Sequence, residues 1–295
     1  MLYVNSYHKG YQWSDGEEES AVKVFKDNNL EYQVIYMDTK NNPEEDFKVK
    51  AGKKVKDYIE KYKPDVLIVA DDNAFKYVVM PYYRDAELPV VFCGINWDIS
   101  EYQAPYSNTT GMLEVGLIDG VYKHMKKFVR GDVVGFIGPD VYSEHRNAEY
   151  YAKFVDGGFD YVEFAPDFET WKEKYLGLKD KVDMFISPGP SGIKNWDIDK
   201  ANEFMLRNVN VPIGTESTDM MGFSLVGLSK VPGEHGEYAA KTALRILIGE
   251  KPSNIPIVSN KKGYLMLNLA VADRLHIVYT PAMLRNAEII YGITK

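Results

Sequence analysis

The residues able to do chemistry fall in short loops that follow apolar runs. The first loop, Asn5 to Trp13, brings Ser6, Tyr7, His8, Tyr11 and Trp13 close together. Asp71, Asp72 and Asn73 follow a second run, Asn96 and Trp97 a third, and Glu114 lies just beyond a fourth. Later loops bring Tyr142 and Ser143, then Gly189 and Pro190, then Thr215, Glu216, Thr218 and Asp219. Carboxylates suit an ammonium group. Aromatic rings suit a planar or apolar body and also attract a cation, by ~0.5–2 kcal/mol. Ser6, Ser143 and the free N–H groups at a helix start suit a carboxylate, with Arg146 in support. The pattern predicts a site for a small amphoteric molecule, an amino acid with an apolar or aromatic side chain. A sugar or a purine nucleoside could use the same rings and acids. Plainer roles compete: Ser14, Asn42 and Ser143 read first as helix caps, and Tyr7, Tyr11 and Trp13 form either a binding wall or surface packing.

Catalytic patterns are poor. His8, His124, His145, His235 and His276 show no metal-ligand spacing. Cys93 is the lone cysteine, which excludes an intrachain disulfide and a cysteine zinc site, and its place within Pro89 to Gly94 predicts a buried strand position. No nucleophile elbow, phosphate loop or dinucleotide fingerprint occurs. No catalytic residue, metal or cofactor is assigned. Asp71, Asp72 and Glu114 keep a carboxylate-dependent hydrolase as the competing class, although adjacent acids at a strand end usually point to opposite sides.

The elements that must position these loops alternate. Strands are expected at Leu2–Val4, Gln33–Met37, Asp65–Ala70 and Pro89–Cys93. Helices are expected from Ser14, with Glu17 closing a capping box, and from Asn42-Pro43. The same order recurs after Gly111, with helix 116–129 and strands Val133–Ile137, Tyr161–Phe164, Val182–Ile186 and Val211–Gly214. A strand at Ser224–Ser229, a helix near 234–248, a strand at Leu265–Leu269 and a helix from Pro281 to about Tyr291 complete the chain. Such alternation means βαβ units and parallel sheets, whose ligands bind beyond the carboxyl ends of the strands. The expected fold is α/β with two Rossmann-like lobes. Lobe 1 takes residues 1–112 and 231–258, and lobe 2 takes 113–230 and 259–295.

The 295 residues suit about two domains. An apolar fraction of 45% with 26% charged residues excludes wholesale disorder, and a net charge of −8 argues against nucleic acid as a partner. The longest apolar runs are too short to span a bilayer. Met1-Leu2-Tyr3-Val4 runs directly into a strand, which predicts that an export signal has been removed.

Val4 to Asp15 (Val-Asn-Ser-Tyr-His-Lys-Gly-Tyr-Gln-Trp-Ser-Asp), Asp71 to Ala74, and Pro89 to Asn96 (Pro-Val-Val-Phe-Cys-Gly-Ile-Asn) resemble the ABC-transporter substrate-binding family that includes tryptophan-binding-like proteins. Asn108 to Met112, Gly236 to Pro252, Leu267 to Leu275 and Thr280 to Leu284 extend the likeness over nearly the whole chain. The resemblance implies a type I periplasmic-binding-protein architecture with three crossovers. It also implies capture of a small molecule between the lobes, no catalysis, and delivery to an ABC-transporter permease. The location implied is periplasmic or extracellular, with a membrane anchor possible in a longer form. The first motif is also similar to extracellular sensor regions of histidine kinases, so a ligand-sensing domain of a membrane receptor is the alternative.

Overall fold

The computed structural model describes residues 1–292. In chain order the first elements are β1 (Leu2–Asn5), α1 (Gln12–Asp27), β2 (Gln33–Tyr36), α2 (Glu45–Tyr62) and β3 (Leu67–Ala70). A helical segment follows, α3 (Asp71–Ala74) running on to α4 (Met80–Tyr82), then β4 (Val90–Asn96) and β5 (Thr109–Glu114). Next come α5 (Ile118–Met125), β6 (Val134–Pro139), α6 (Tyr142–Tyr151), β7 (Tyr161–Ala165), α7 (Phe168–Leu178) and β8 (Met184–Ile186). They are followed by α8 (Ile198–Asn208), β9 (Ile213–Thr215), β10 (Val226–Lys230), α9 (Pro232–Leu247) and β11 (Val258–Ser259). The chain closes with β12 (Gly263–Asn268), α10 (Leu269–Arg274), α11 (Pro281–Asn286) and β13 (Ile289–Tyr291). It divides into two units: Met1–Val115 with Val231–Lys262, and Gly116–Lys230 with Gly263–Lys295.

The sheet of the first unit runs β11-β5-β4-β3-β1-β2 and every neighbouring pair is parallel. Successive side chains of a strand point to opposite faces, and both faces are covered. Leu2, Val4, Leu67 and Val69 pack with Val55, Ile59 and Phe75 on one side. Tyr3, Ile68, Ala70 and Cys93 pack with Ala21, Phe25, Ala239 and Ala243 on the other. Coverage on two sides is why these strands read as continuous apolar runs. Cys93 is fully buried, as its sequence context predicts.

The sheet of the second unit runs β13-β12-β10-β9-β8-β6-β7. Here β10 and β12 are antiparallel, which the expectation of wholly parallel sheets did not include. The helix expected from Pro281 to about Tyr291 also ends early, at Asn286, and Ile289–Tyr291 pairs with β12 as a further parallel strand. Its alternation is too short to tell from a helix turn. One face is built on Phe168, Trp171, Tyr175, Phe185, Met205 and Phe223.

Three expected caps are displaced. The helix expected to begin at Ser14 begins at Gln12, because Asp15 rather than Glu17 reaches back, accepting from the Gly10 N–H at 2.9 and 3.1 Å. Ser14 is buried inside the first turn. Asn42 closes the preceding turn, donating to the Asp38 carbonyl at 3.0 Å, and the helix starts at Glu45. Ser143 lies within α6, whose N-cap is Val141.

In the first unit α1 and α9 meet at glycines. A Cβ placed on Gly236 would lie 1.7 Å from the Glu17 carbonyl oxygen, so the two backbones touch. Gly236→Ala should destabilise the protein by about 2–3 kcal/mol, the usual cost of forcing bulk into a closed contact. Urea unfolding of the two proteins side by side measures this, and equal midpoints would show that α1 and α9 do not pack this tightly.

Candidate functional site

The carboxyl ends of β1, β3, β4 and β5 place the first group of candidates in one unit. Ser6 is fully buried; its hydroxyl donates to the Ala70 carbonyl at 2.5 Å and accepts from the Ala74 N–H at 2.7 Å. It fastens β1 to the start of α3, and its oxygen is occupied by the backbone rather than open to a ligand's carboxylate. Thr39 adds a second tie, donating to the Ser6 carbonyl at 2.6 Å, and Asn73 in turn donates to Thr39 at 2.9 Å.

Tyr7 and Tyr11 form an edge-to-face pair with centroids 5.2 Å apart. Lys40 sits over both rings, its Nζ 5.1 Å from the Tyr7 centroid and 4.6 Å from that of Tyr11. His8 lies beside, with Nδ1 3.6 Å from Asp38 Oδ1. Trp13, in the first turn of α1, packs edge-on against His235 of α9 at 5.6 Å. The expected three-ring wall is therefore a two-ring wall carrying a lysine, with Trp13 turned toward α9. Sequence did not single out Lys40, because nothing local ties a loop lysine after β2 to rings on the loop after β1.

Asp71 is the centre of this face. It is 3% exposed and sits at φ +66°, the left-handed region that costs an ordinary residue ~1–2 kcal/mol. Such strain concentrates at ligand clamps. Its Oδ2 is buried with no hydrogen-bond partner among the described residues. A Cβ placed on Gly94 would come within 2.9 Å of Glu17 Oε1 and 3.2 Å of Asp71 Oδ1, so carboxylates from α1 and from the end of β3 converge beside that glycine. Burial pushes the Asp71 carboxyl well above the usual carboxylate range, and Glu114 and Asp72 push it further, against weaker help from Lys40 and Ser14.

Asp72 turns the other way. It accepts from Asn96 Nδ2 at 2.6 Å and from the Tyr102 hydroxyl at 2.7 Å, while burial raises its carboxyl. The two aspartates thus diverge instead of flanking one point, which does not suit a paired-carboxylate hydrolase. Trp97 also adopts left-handed backbone, at φ +59°, and its N–H donates to the Glu114 carbonyl at 2.9 Å. Glu114 is 9% exposed.

The second unit gathers its own group. Glu216 accepts from the Leu117 N–H and from the Tyr151 hydroxyl, the latter at 2.9 Å. Thr215 is fully buried, its hydroxyl accepting from the Ser217 N–H at 3.1 Å and donating to the Pro188 carbonyl at 3.3 Å, so it shapes the loop rather than facing outward. Tyr142 is 84% exposed. Ser143, Thr218 and Asp219 are exposed, and Gly189 and Pro190 are half-buried. A Cβ on Gly189 would lie 3.1 Å from Ser217 Cβ, so the two loops touch. Glu144 was missed by sequence reasoning. Burial pushes its carboxyl up to about 7, Glu216 adds to the rise, and Asn147, Lys230 and His145 oppose it. Its Oε1 is buried without a partner among the described residues. The available signal was its place in the first turn of the helix that follows β6. Among the described residues no cluster of three or more His, Cys, Asp or Glu could hold a metal ion.

No protein-family model matches the chain, and no curated protein matches it in sequence. Solved structures do match in fold. The ABC domain in complex with L-Trp from Streptococcus pneumonia is 14% identical with a TM-score of 0.61, over 98% of this chain and 100% of that one. A ligand-free, open substrate-binding protein with adhesive properties from Clostridium difficile is 12% identical with a TM-score of 0.78, over 99% of each chain. A periplasmic ribose ABC transporter protein from Conexibacter woesei is 13% identical with a TM-score of 0.62, over 97% of each. At such identities the likeness is one of fold: α/β, two units with largely parallel sheets, the type I periplasmic-binding architecture. Among the described residues no helix is long and apolar enough to cross a membrane.

The Glu144 carboxyl, raised in the folded state, sets a pH dependence. Its proton is held by the folded chain and not by the unfolded one as pH rises from the ordinary carboxylate range to about 7. Stability contributed by that proton is present below the unfolded pKa and is lost as pH rises through the folded one. Glu144→Gln should therefore raise stability at pH 8 by about 1–3 kcal/mol and change it little at pH 4. Urea unfolding at both values tests this; the same increment at both would contradict it.

Proposed function

We propose that this chain is an exported, non-catalytic solute-binding protein that captures a small cationic or amphoteric molecule and hands it to an ABC-transporter permease. The observation that supports the reading best is Asp71: a strained, almost wholly buried carboxylate with one oxygen lacking a hydrogen-bond partner among the described residues. A ligand ammonium satisfies that oxygen and favours the ionised form that burial disfavours. The Tyr7–Tyr11 pair lies on the loop following the neighbouring strand β1 and offers ring surface to an apolar or aromatic body. With the Ser6 hydroxyl occupied, Lys40 above those rings is the group of this face suited to a ligand's carboxylate. An amino acid with an apolar or aromatic side chain fits this set. The fold is shared with a protein solved in complex with L-Trp and with a ribose transporter protein, so amino acid and sugar are the two classes to separate.

The test is calorimetry of ligand-stripped protein against the twenty amino acids and ribose. Heat with an apolar or aromatic amino acid is expected. Asp71→Asn should weaken that binding by about 1.5–3 kcal/mol, the worth of a hydrogen bond to a charged group, while leaving the circular dichroism spectrum unchanged. Heat with ribose and with none of the amino acids would overturn the amino-acid reading.

A further inference from the structure

Lys40 follows β2 on a turn that is stitched to the loop carrying the tyrosine rings. Asp38 N–H donates to the Tyr7 carbonyl and Thr39 N–H to the Ser6 carbonyl, both at 3.0 Å. The buried Thr39 hydroxyl donates to the Ser6 carbonyl at 2.6 Å. Asn73 donates to Thr39 Oγ1 at 2.9 Å, which joins the same turn to the segment that begins with Asp71. Asp38 holds the left-handed backbone of the turn, at φ +55°. The Lys40 side chain therefore starts from a fixed point, although the residue itself is exposed.

An exposed lysine usually extends its ammonium into water. Lys40 instead lays Nζ over the Tyr7 and Tyr11 rings and donates to the Tyr11 hydroxyl at 3.3 Å. Among the described residues no carboxylate forms an ion pair with it. Asp38, two residues away, is turned to its own loop: its carboxylate accepts from Asn41 Nδ2 at 2.8 Å and from Asn42 Nδ2 at 3.1 Å. The rings thus carry a cation that the chain itself supplies. The same rings border Asp71. Burial pushes the Tyr7 hydroxyl up, and the charges of Asp71 and Asp72 push it further.

Resting on the solute-binding reading above, we propose that Lys40 decides specificity at this face: it is a tethered cation on the ring surface that gives way only to a ligand bringing its own carboxylate. An apolar or aromatic body laid on Tyr7 and Tyr11 must move the ammonium off the rings. A carboxylate beside that body replaces the lost ring contact with an ion pair. The amine that remains when the carboxylate is removed makes no such replacement, and it sets a second positive charge beside Lys40. The chain therefore takes amino acids and rejects the matching amines, although Asp71 could accept the ammonium of either.

Calorimetry of the whole chain tests this. Each apolar and aromatic amino acid is compared with its decarboxylated amine, L-tryptophan with tryptamine and L-leucine with isoamylamine among them. The unaltered protein should prefer the amino acid by about tenfold to a hundredfold, the range of a hydrogen bond to a charged group. Lys40→Met, of similar length and at an exposed position, should remove most of that preference by weakening the amino acid and strengthening the amine. Lys40→Arg should keep it. If Lys40→Met weakens both ligands alike, or leaves the preference intact, the proposal is overturned and the solute-binding reading stands. Heat with none of the amino acids would overturn the proposal together with the amino-acid reading it rests on.

Discussion

A carboxylate held out of water at the end of a strand is expensive unless something answers it. Asp71 is that carboxylate, and much of the first unit can be understood as what holds it there. The Ser6 hydroxyl ties the ends of β1 and β3 to the first turn of α3, fixing the backbone on either side of Asp71. Gly94, itself at φ +70°, leaves the space into which Asp71 and Glu17 both reach. The α1–α9 contact through Gly236 holds Glu17 beneath it. A chain selected only for stability has no use for this arrangement, since a neutral side chain would remove the desolvation cost and a glycine the backbone strain. A chain selected to answer a ligand's positive charge does.

The second unit shows the same device with different parts. Glu144 is half-buried, with its carboxyl raised, while Glu216 is tied to a backbone N–H and a tyrosine hydroxyl. Glu144, raised to about 7 by burial with Glu216 adding to the rise, gives this unit an acid whose charge depends on pH. Each unit thus offers acid groups whose ionisation a bound cation would favour.

The fold was largely legible because buried parallel strands announce themselves. Val66 to Ala70 and Pro89 to Cys93 are apolar on both faces, and the rule that ligands lie beyond strand carboxyl ends picked the loops holding Asp71, Trp97 and Glu216. What escaped was set by contacts distant in sequence. Ser14 has the composition of a cap, but Asp15 reaches Gly10 and starts α1 earlier. Trp13 belongs to the same short loop as Tyr7, yet the helical turn carries it toward His235, more than 200 positions away in the chain. Ser6 and Thr215 have the right chemistry for binding, and only the fold shows their hydroxyls committed to backbone partners. Lys40 and Glu144 gain their character from neighbours that no local pattern names.

The central claim is that burial holds the Asp71 carboxyl well above the usual carboxylate range until a cation arrives. A carbon-13 NMR titration of its carboxyl, with the Asp71→Asn protein to assign the signal, measures this directly. The account predicts that in ligand-free protein the Asp71 carboxyl titrates well above the usual carboxylate range, and that a bound ammonium compound brings it back down. Titration in the ordinary carboxylate range without ligand would contradict it.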